Sequence, residues 1–133
     1  MENFVSWLRQ SAIRWMIVTA CLAAVADHAC GANLERGARL FKACVSCHVV
    51  DNERSTFSPS LKGVVGRKAG SLQGYNYSPA MRKAGEEGLV WIAKDLSEFL
   101  SKPSRKLPGT TMRFSGLWGI EIDDLVSYLE ANP

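Results

Sequence analysis

With 4 cysteines and 2 histidines in 133 residues, the chain has the material for neither a disulfide-dense scaffold nor a histidine-rich metal cluster. Charge of one sign is also scarce. Its 16 Lys and Arg face 13 Asp and Glu, a formal +3 that is too mild and too evenly spread to hold nucleic acid. There is no internal repeat, no low-complexity run and little of the period-2 alternation that marks strands. The apolar run from Trp15 to Ala26 falls short of the roughly 20 residues that cross a bilayer. At 47% apolar and 22% charged, the composition is that of a globular chain, not a disordered one.

Arg9 and Arg14 precede that apolar run, and Ala24-Val25-Ala26 ends it just before Asp27. A basic start, a short apolar stretch and small residues at its end form the pattern of an export signal peptide. The expected leader is therefore 1–26, with cleavage possible as late as Ala32, and the expected folded domain is 33–133. An uncleaved N-terminal anchor is the alternative. Val18-Thr19-Ala20-Cys21 resembles a lipidation box, but it lies too close to Arg14 to serve as one. Removing Arg9, Arg14 and Glu2 from a chain of +3 leaves +2. The remainder, about a hundred residues, is a small domain whose core would gain from a large apolar cofactor. Cys21 goes with the leader, and Cys30 and His28 fall in the boundary segment with no assigned role.

Cys44-Val45-Ser46-Cys47-His48 is C-x-x-C-H, the attachment signature of c-type haem. Two thiols three positions apart on a helical turn can each join a vinyl group of one porphyrin. The adjacent imidazole is then placed to ligate the iron. For this composition chance supplies about 0.002 such matches. A thioredoxin-like C-x-x-C would follow a strand, whereas this one ends a helical stretch. A zinc site would need four ligands, and the domain has no second cysteine pair to provide them. A structural disulfide would leave His48 unexplained.

Gly37, Leu40, Phe41 and Cys44 recur at helical spacing, with Asn33 as the N-cap and Glu35 in the first turn. Ile122, Leu125, Val126 and Leu129 repeat the spacing near the end of the chain. Both stripes read as core, and Gly37 would let the C-terminal helix approach closely. Residues 51–77 carry Pro59, Gly63, Gly66, Gly70 and Gly74 and read as a long loop, which is acceptable in so small a domain if it wraps a cofactor. Ser78 and Pro79 open a short helix to Gly85. Another is expected from about Lys94 to Ser101, stopped by Pro103.

The chain resembles the class I cytochromes c, closest to the mitochondrial and c2-like group, over nearly all of 37–129. Gly37-x-x-Leu40-Phe41-x-x-Cys44-x-x-Cys47-His48 matches the opening helix of that family. Pro59-Ser60-Leu61-Lys62-Gly63-Val64-Val65-Gly66-Arg67 matches the loop beneath the proximal histidine. Gly74-Tyr75-Asn76-Tyr77-Ser78 and Trp91 match the stretch around the propionates. Leu107-Pro108-Gly109-Thr110-Thr111-Met112-x-Phe114-x-Gly116 matches the sixth-ligand loop. The resemblance implies an all-α fold of short helices around one covalent haem c, with the terminal helices packed together. It implies thioethers at Cys44 and Cys47, axial ligation by His48 and Met112, and a Pro59 carbonyl accepting the other ring N–H of His48. It also implies propionate hydrogen bonds from Arg67, Tyr77 and Trp91.

In two places the chain departs from that pattern. Ser58 stands where glycine is usual, which would alter the loop backbone, and Phe99 stands where many members have tyrosine. Met112 lies in a Pro-Gly loop, while Met81 falls on the short helix among Arg82 and Lys83. The expected function is one-electron carriage by a monomer in a bacterial periplasm, not catalysis. The expected partners are redox proteins with acidic docking surfaces, met by a basic rim of Lys42, Lys68, Lys102, Arg105 and Lys106. Two alternatives stay open at this point. One is a haem enzyme or gas-binding protein with an open sixth site, and the other is the electron-accepting subunit of a dehydrogenase complex.

Overall fold

The computed structural model describes residues 31–133. The expected leader, with Cys21, His28 and Cys30, lies outside the described residues. Asn33 opens the first helix, α1 (Leu34–Phe41), and its side chain accepts the Arg36 N–H at 2.8 Å, as a cap should. Ser78 does the same for Met81 at 3.2 Å, ahead of Pro79 at the start of α2 (Pro79–Glu86). Next come α3 (Ala93–Ser101), the single turn α4 (Pro103–Lys106) and α5 (Ile120–Glu130). Among the described residues the fold is helical, with no strand and one isolated antiparallel bridge, Lys68 to Val90. No described helix is long and apolar enough to cross a membrane.

The packing of α1 on α5 turns on one residue. A Cβ on Gly37 would lie 2.2 Å from the Asp124 carbonyl oxygen and 2.7 Å from the Tyr128 Cβ, so only glycine admits this approach. One turn on, the Phe41 and Tyr128 rings meet at 5.5 Å. The stripe expected on α5 is buried as Ile122, Leu125, Val126 and Leu129, against Phe41 and against Leu96, Phe99 and Leu100 of α3. Each such side chain contributes about 1.5–3 kcal/mol by leaving water. α3 begins one residue earlier than expected, and Pro103 both ends it and starts α4. Lys106 ties the two together, reaching Asp95 at 2.7 Å and also Glu98.

The long segment between α1 and α2 follows a defined path. Gly66 N–H donates to Trp91 O, Trp91 N–H to Arg67 O and Ala69 N–H to Leu89 O, each at 2.9 Å. Gly63 N–H reaches Asn132 O at 3.0 Å, anchoring the loop to the end of the chain. After α4 the chain passes across the end of α3, where a Cβ on Gly116 (φ +109°) would sit 2.0 Å from the Ser101 carbonyl oxygen. This path bounds a cavity of about 410 Å³, open on one side, between the loops and the helical core.

Candidate functional site: a cavity lined by an imidazole, a thioether and a thiol

The turn after α1 carries the C-x-x-C-H motif, with Cys47 N–H and His48 N–H both donating to Cys44 O, at 3.0 and 2.8 Å. Cys44 is half-buried and lines the cavity. Burial, reinforced by the neighbouring Cys47, pushes its thiol pKa up. Cys47 is exposed, and it is the expected site residue that does not line the cavity. Both thiols are free.

His48 is held by its partner loop. Its Nδ1 lies 2.8 Å from Pro59 O. A carbonyl only accepts, so Nδ1 carries the proton and Nε2 keeps its lone pair. Burial lowers the pKa of this imidazole, outweighing the Pro59 hydrogen bond that raises it, so the ring is neutral at pH 7. The loop that presents Pro59 is braced from within. Thr56 Oγ1 donates to Cys47 O at 2.6 Å, Ser58 N–H to the same oxygen at 3.1 Å, and the buried Ser60 hydroxyl to Asn52 O. Ser58 therefore needs no glycine conformation, and no described non-glycine residue has a positive φ.

Arg67 donates to Ser60 O at 2.7 Å and to Lys62 O at 3.3 Å. Its guanidinium fork thus clamps the loop of Pro59 while the side chain lines the cavity. Tyr77 stands near it, with burial pushing its phenol pKa up against the lowering effect of Arg67. Tyr75 meets Tyr77 edge-on at 4.8 Å and donates to Phe57 O at 3.3 Å. Trp91 is buried, lines the cavity and packs on Phe99 with ring centroids 5.1 Å apart. Phe99 thus gives the Trp91 ring an apolar neighbour.

Met112 reaches the cavity from the loop after α4, its N–H donating to Thr110 Oγ1 at 3.3 Å. The fold thus brings Cys44, His48, Pro59, Arg67, Tyr77, Trp91 and Met112 onto one cavity. Sequence reasoning missed Met81, Thr110 and Ser78, which line it too. Met81 is half-buried rather than on an outer face. The signal in the sequence was slight, the three-residue spacing of Ser78, Met81 and Ala84 along one helix face. A second correction concerns Lys106. Its ammonium is paired with Asp95 and Glu98, and these hydrogen bonds raise its pKa, so it contributes little to a basic rim.

This lining suits a haem. Phe41, Leu96, Leu100 and Leu125 offer apolar walls, a neutral imidazole and a thioether offer iron ligands, and Cys44 offers an anchoring thiol. Among the described residues no group of three or more His, Cys, Asp or Glu converges, as a zinc site would require.

The family model described as Cytochrome c matches residues 34–132. Over 99 residues the chain is 42% identical to a protein of Agrobacterium tumefaciens named cytochrome c2, covering 73% of this chain and 89% of that one. It also resembles the solved structure of cytochrome c2 from Rhodospirillum centenum, at 31% identity and a TM-score of 0.71, covering 75% of this chain and 98% of that one. Cytochrome cH from Methylobacterium extorquens is similar at 39% identity and a TM-score of 0.68, covering 74% of this chain and 98% of that one.

Proposed function

Because the chain belongs to the cytochrome c family, electron carriers with one covalently attached haem c, we propose that His48 and Met112 are its iron ligands and Cys44 and Cys47 its thioether anchors. The protein is an electron-transfer protein rather than an enzyme. The observation that carries the ligand assignment is the convergence of His48, Met112 and Cys44 on one cavity. When bound, the haem supplies a single iron that gains or loses one electron.

The chain's own groups set the conditions for that exchange. Pro59 O fixes the His48 ring and its tautomer, so that Nε2 faces its task as a neutral donor. Met112 supplies a soft thioether, which favours reduced iron and raises the potential. Phe41, Leu96, Phe99, Leu100 and Trp91 exclude water, so little solvent has to reorganise when charge changes. Arg67 and Tyr77 provide a cation and a hydroxyl for the propionates, offsetting the cost of burying carboxylates.

The chain exchanges electrons with redox partners. Its finer setting is our reading: a leader exports it, it works as a monomer in a bacterial periplasm, and exposed Lys42, Lys68, Lys102 and Arg105 meet acidic docking surfaces.

Protein matured in a haem-attaching, exporting host tests the site. Haem is expected to survive acid-acetone extraction, and Cys44→Ala or Cys47→Ala to lower the yield of holoprotein. Low-spin spectra in both oxidation states, a weak near-infrared sulfur–ferric band and poor carbon monoxide binding are expected of the unaltered protein. Met112→Ala should lose the band and admit carbon monoxide. Rapid carbon monoxide binding by the unaltered protein, or a band that survives in the variant, would remove Met112 from the ligand set.

A further inference from the structure

The carboxylate of Asp124 is fully enclosed, yet Asp124 is not among the residues lining the cavity. Its Oδ2 pairs with Nε of Arg36 on α1, and its Oδ1 accepts the backbone N–H of Asn33 at 2.6 Å. That second contact is short for a neutral amide donor, whose usual N···O distance is about 2.9–3.0 Å. It belongs with the shorter bonds in which one partner is ionised, here the carboxylate. Arg39 of α1 adds its field to that of Arg36, and both hold the Asp124 carboxyl below the usual carboxylate range. The second carboxylate oxygen thus points at one backbone nitrogen, that of Asn33.

Asn33 is also the residue after Ala32, and Cys30 and Ala32 place small side chains three and one positions before the Ala32–Asn33 bond. Small residues at those two places are what a signal peptidase reads. We propose that the leader is cut between Ala32 and Asn33, and that the α-ammonium thereby created becomes a second charged partner of Asp124, beside Arg36. The inference rests on the export proposed above. In the cut, water adds across the peptide bond under signal-peptidase catalysis, leaving a carboxylate on Ala32 and an ammonium on Asn33. No electrons are transferred.

The physical case lies in what each form of the nitrogen offers. An amide brings one N–H and a partial charge, whereas an ammonium brings three donors and a full charge. A buried carboxylate is costly unless paired, and a charged partner offsets that cost better than a neutral one. The start of α1 on its own disfavours a cation because of the helix dipole. A carboxylate aimed at the same nitrogen reverses that preference. The Asn33 side chain still caps Arg36 in either case, so the cut leaves the helix start intact. Cleavage after Ala26 would instead keep 27–32 attached and an amide facing Asp124.

Intact mass and the N-terminal peptide of exported holoprotein test the cut, with Asn33 expected first. A chain that begins at Asp27 overturns the inference and leaves export standing. An intact chain beginning at Met1 in the membrane fraction overturns both. Holoprotein beginning at Asn33 is then compared with holoprotein extended by Ala32. The extension is expected to raise the unfolding constant at pH 6 about tenfold, the equivalent of one pKa unit. The α-amine of the Asn33 form should titrate, by NMR, about one unit above its ordinary value of about 7.7. A raised folded pKa puts the advantage below pH of about 7.7 and removes it as pH climbs through the folded value. Introducing Asp124→Asn into both forms should abolish the difference. If that variant does not fold, the α-amine titration decides alone. Equal stability of the two forms, or an α-amine at its ordinary value, overturns the ion pair.

Discussion

Arg67 donates to the Ser60 and Lys62 carbonyls, and Ser60 directly follows the proline whose oxygen receives the His48 ring. Arg67→Met keeps the length of the side chain but deletes both donors, leaving two loop carbonyls short of a partner. A loss of about 1–2 kcal/mol is expected from denaturant unfolding, with faster exchange of the His48 ring N–H. Lysine at the same position would not restore both bonds, because its point charge lacks the fork. The charges of Asp124 and Lys106 titrate in opposite directions. The Asp124 pKa is depressed, chiefly by the Arg36 hydrogen bond, so its contribution is present above the ordinary carboxylate value and is lost as pH falls through the folded one. Asp124→Asn should therefore flatten the acid limb of a stability–pH curve. The Lys106 pKa is raised, chiefly by the Asp95 hydrogen bond, so its contribution holds below the ordinary lysine value and fades as pH rises through the folded one. Lys106→Met should change the alkaline limb and leave the acid one alone.

Among the elements, α1 and α5 are joined at the point where glycine is required. In Gly37→Ala the added methyl meets the Asp124 carbonyl, a backbone group that cannot swing aside. A loss of about 1–3 kcal/mol is expected from overpacking, read as a lower midpoint of thermal unfolding with haem still attached. This contact is legible in the sequence, as are the caps at Asn33 and Ser78 and the stripe on α5. Helical periodicity and cap chemistry are local signals, written within a few residues of the feature they specify. The segment 51–77 was legible only as a loop. Its path depends on hydroxyls meeting distant carbonyls, such as Thr56 to Cys47 O and Ser60 to Asn52 O, and such bonds leave no period in the sequence. Lys106 was read as a rim charge for a related reason. Its partners Asp95 and Glu98 lie eleven and eight residues away across the break at Pro103, beyond the reach of a single-helix pairing rule. Of the candidate site, Cys44, Cys47 and His48 stood out by spacing alone. Pro59, Arg67, Tyr77, Trp91 and Met112 became legible through several ordered motifs together.

For the whole molecule, the cavity of about 410 Å³ is the space that the loops and the helical core share. With nothing to fill it, the apolar lining of Phe41, Leu96, Leu100 and Leu125 faces water and loses burial that a small domain depends on. Protein made without haem, as in a host lacking the attachment machinery, is expected to show reduced helical dichroism and a broad, weakly cooperative thermal transition. At its surface Lys42, Lys68, Lys102 and Arg105 remain exposed. With an acidic redox partner the bimolecular rate should fall as ionic strength rises. A rate unchanged across salt, under conditions where encounter is limiting, would show that these four charges do not steer docking.

The bond between Asn33 and Asp124 spans 91 positions of sequence. A chain delivered N-terminus first therefore presents α1 and the thiols just after it long before the surface that covers α1 exists. Until the last eleven-residue helix arrives, Gly37 lacks the Asp124 backbone it packs on and Phe41 the Tyr128 ring it meets. Cys44 and Cys47 then stay open to chemistry for most of the time the chain takes to emerge. The order of synthesis thus provides a working interval in which the cavity beside Cys44 is still open and the cofactor can be joined to an unclosed fold, while Cys47 stays exposed even in the closed one. Without haem, the half-buried Cys44 should be alkylated faster in a chain stopped at Trp118 than in the full-length chain, with Cys47 reactive in both.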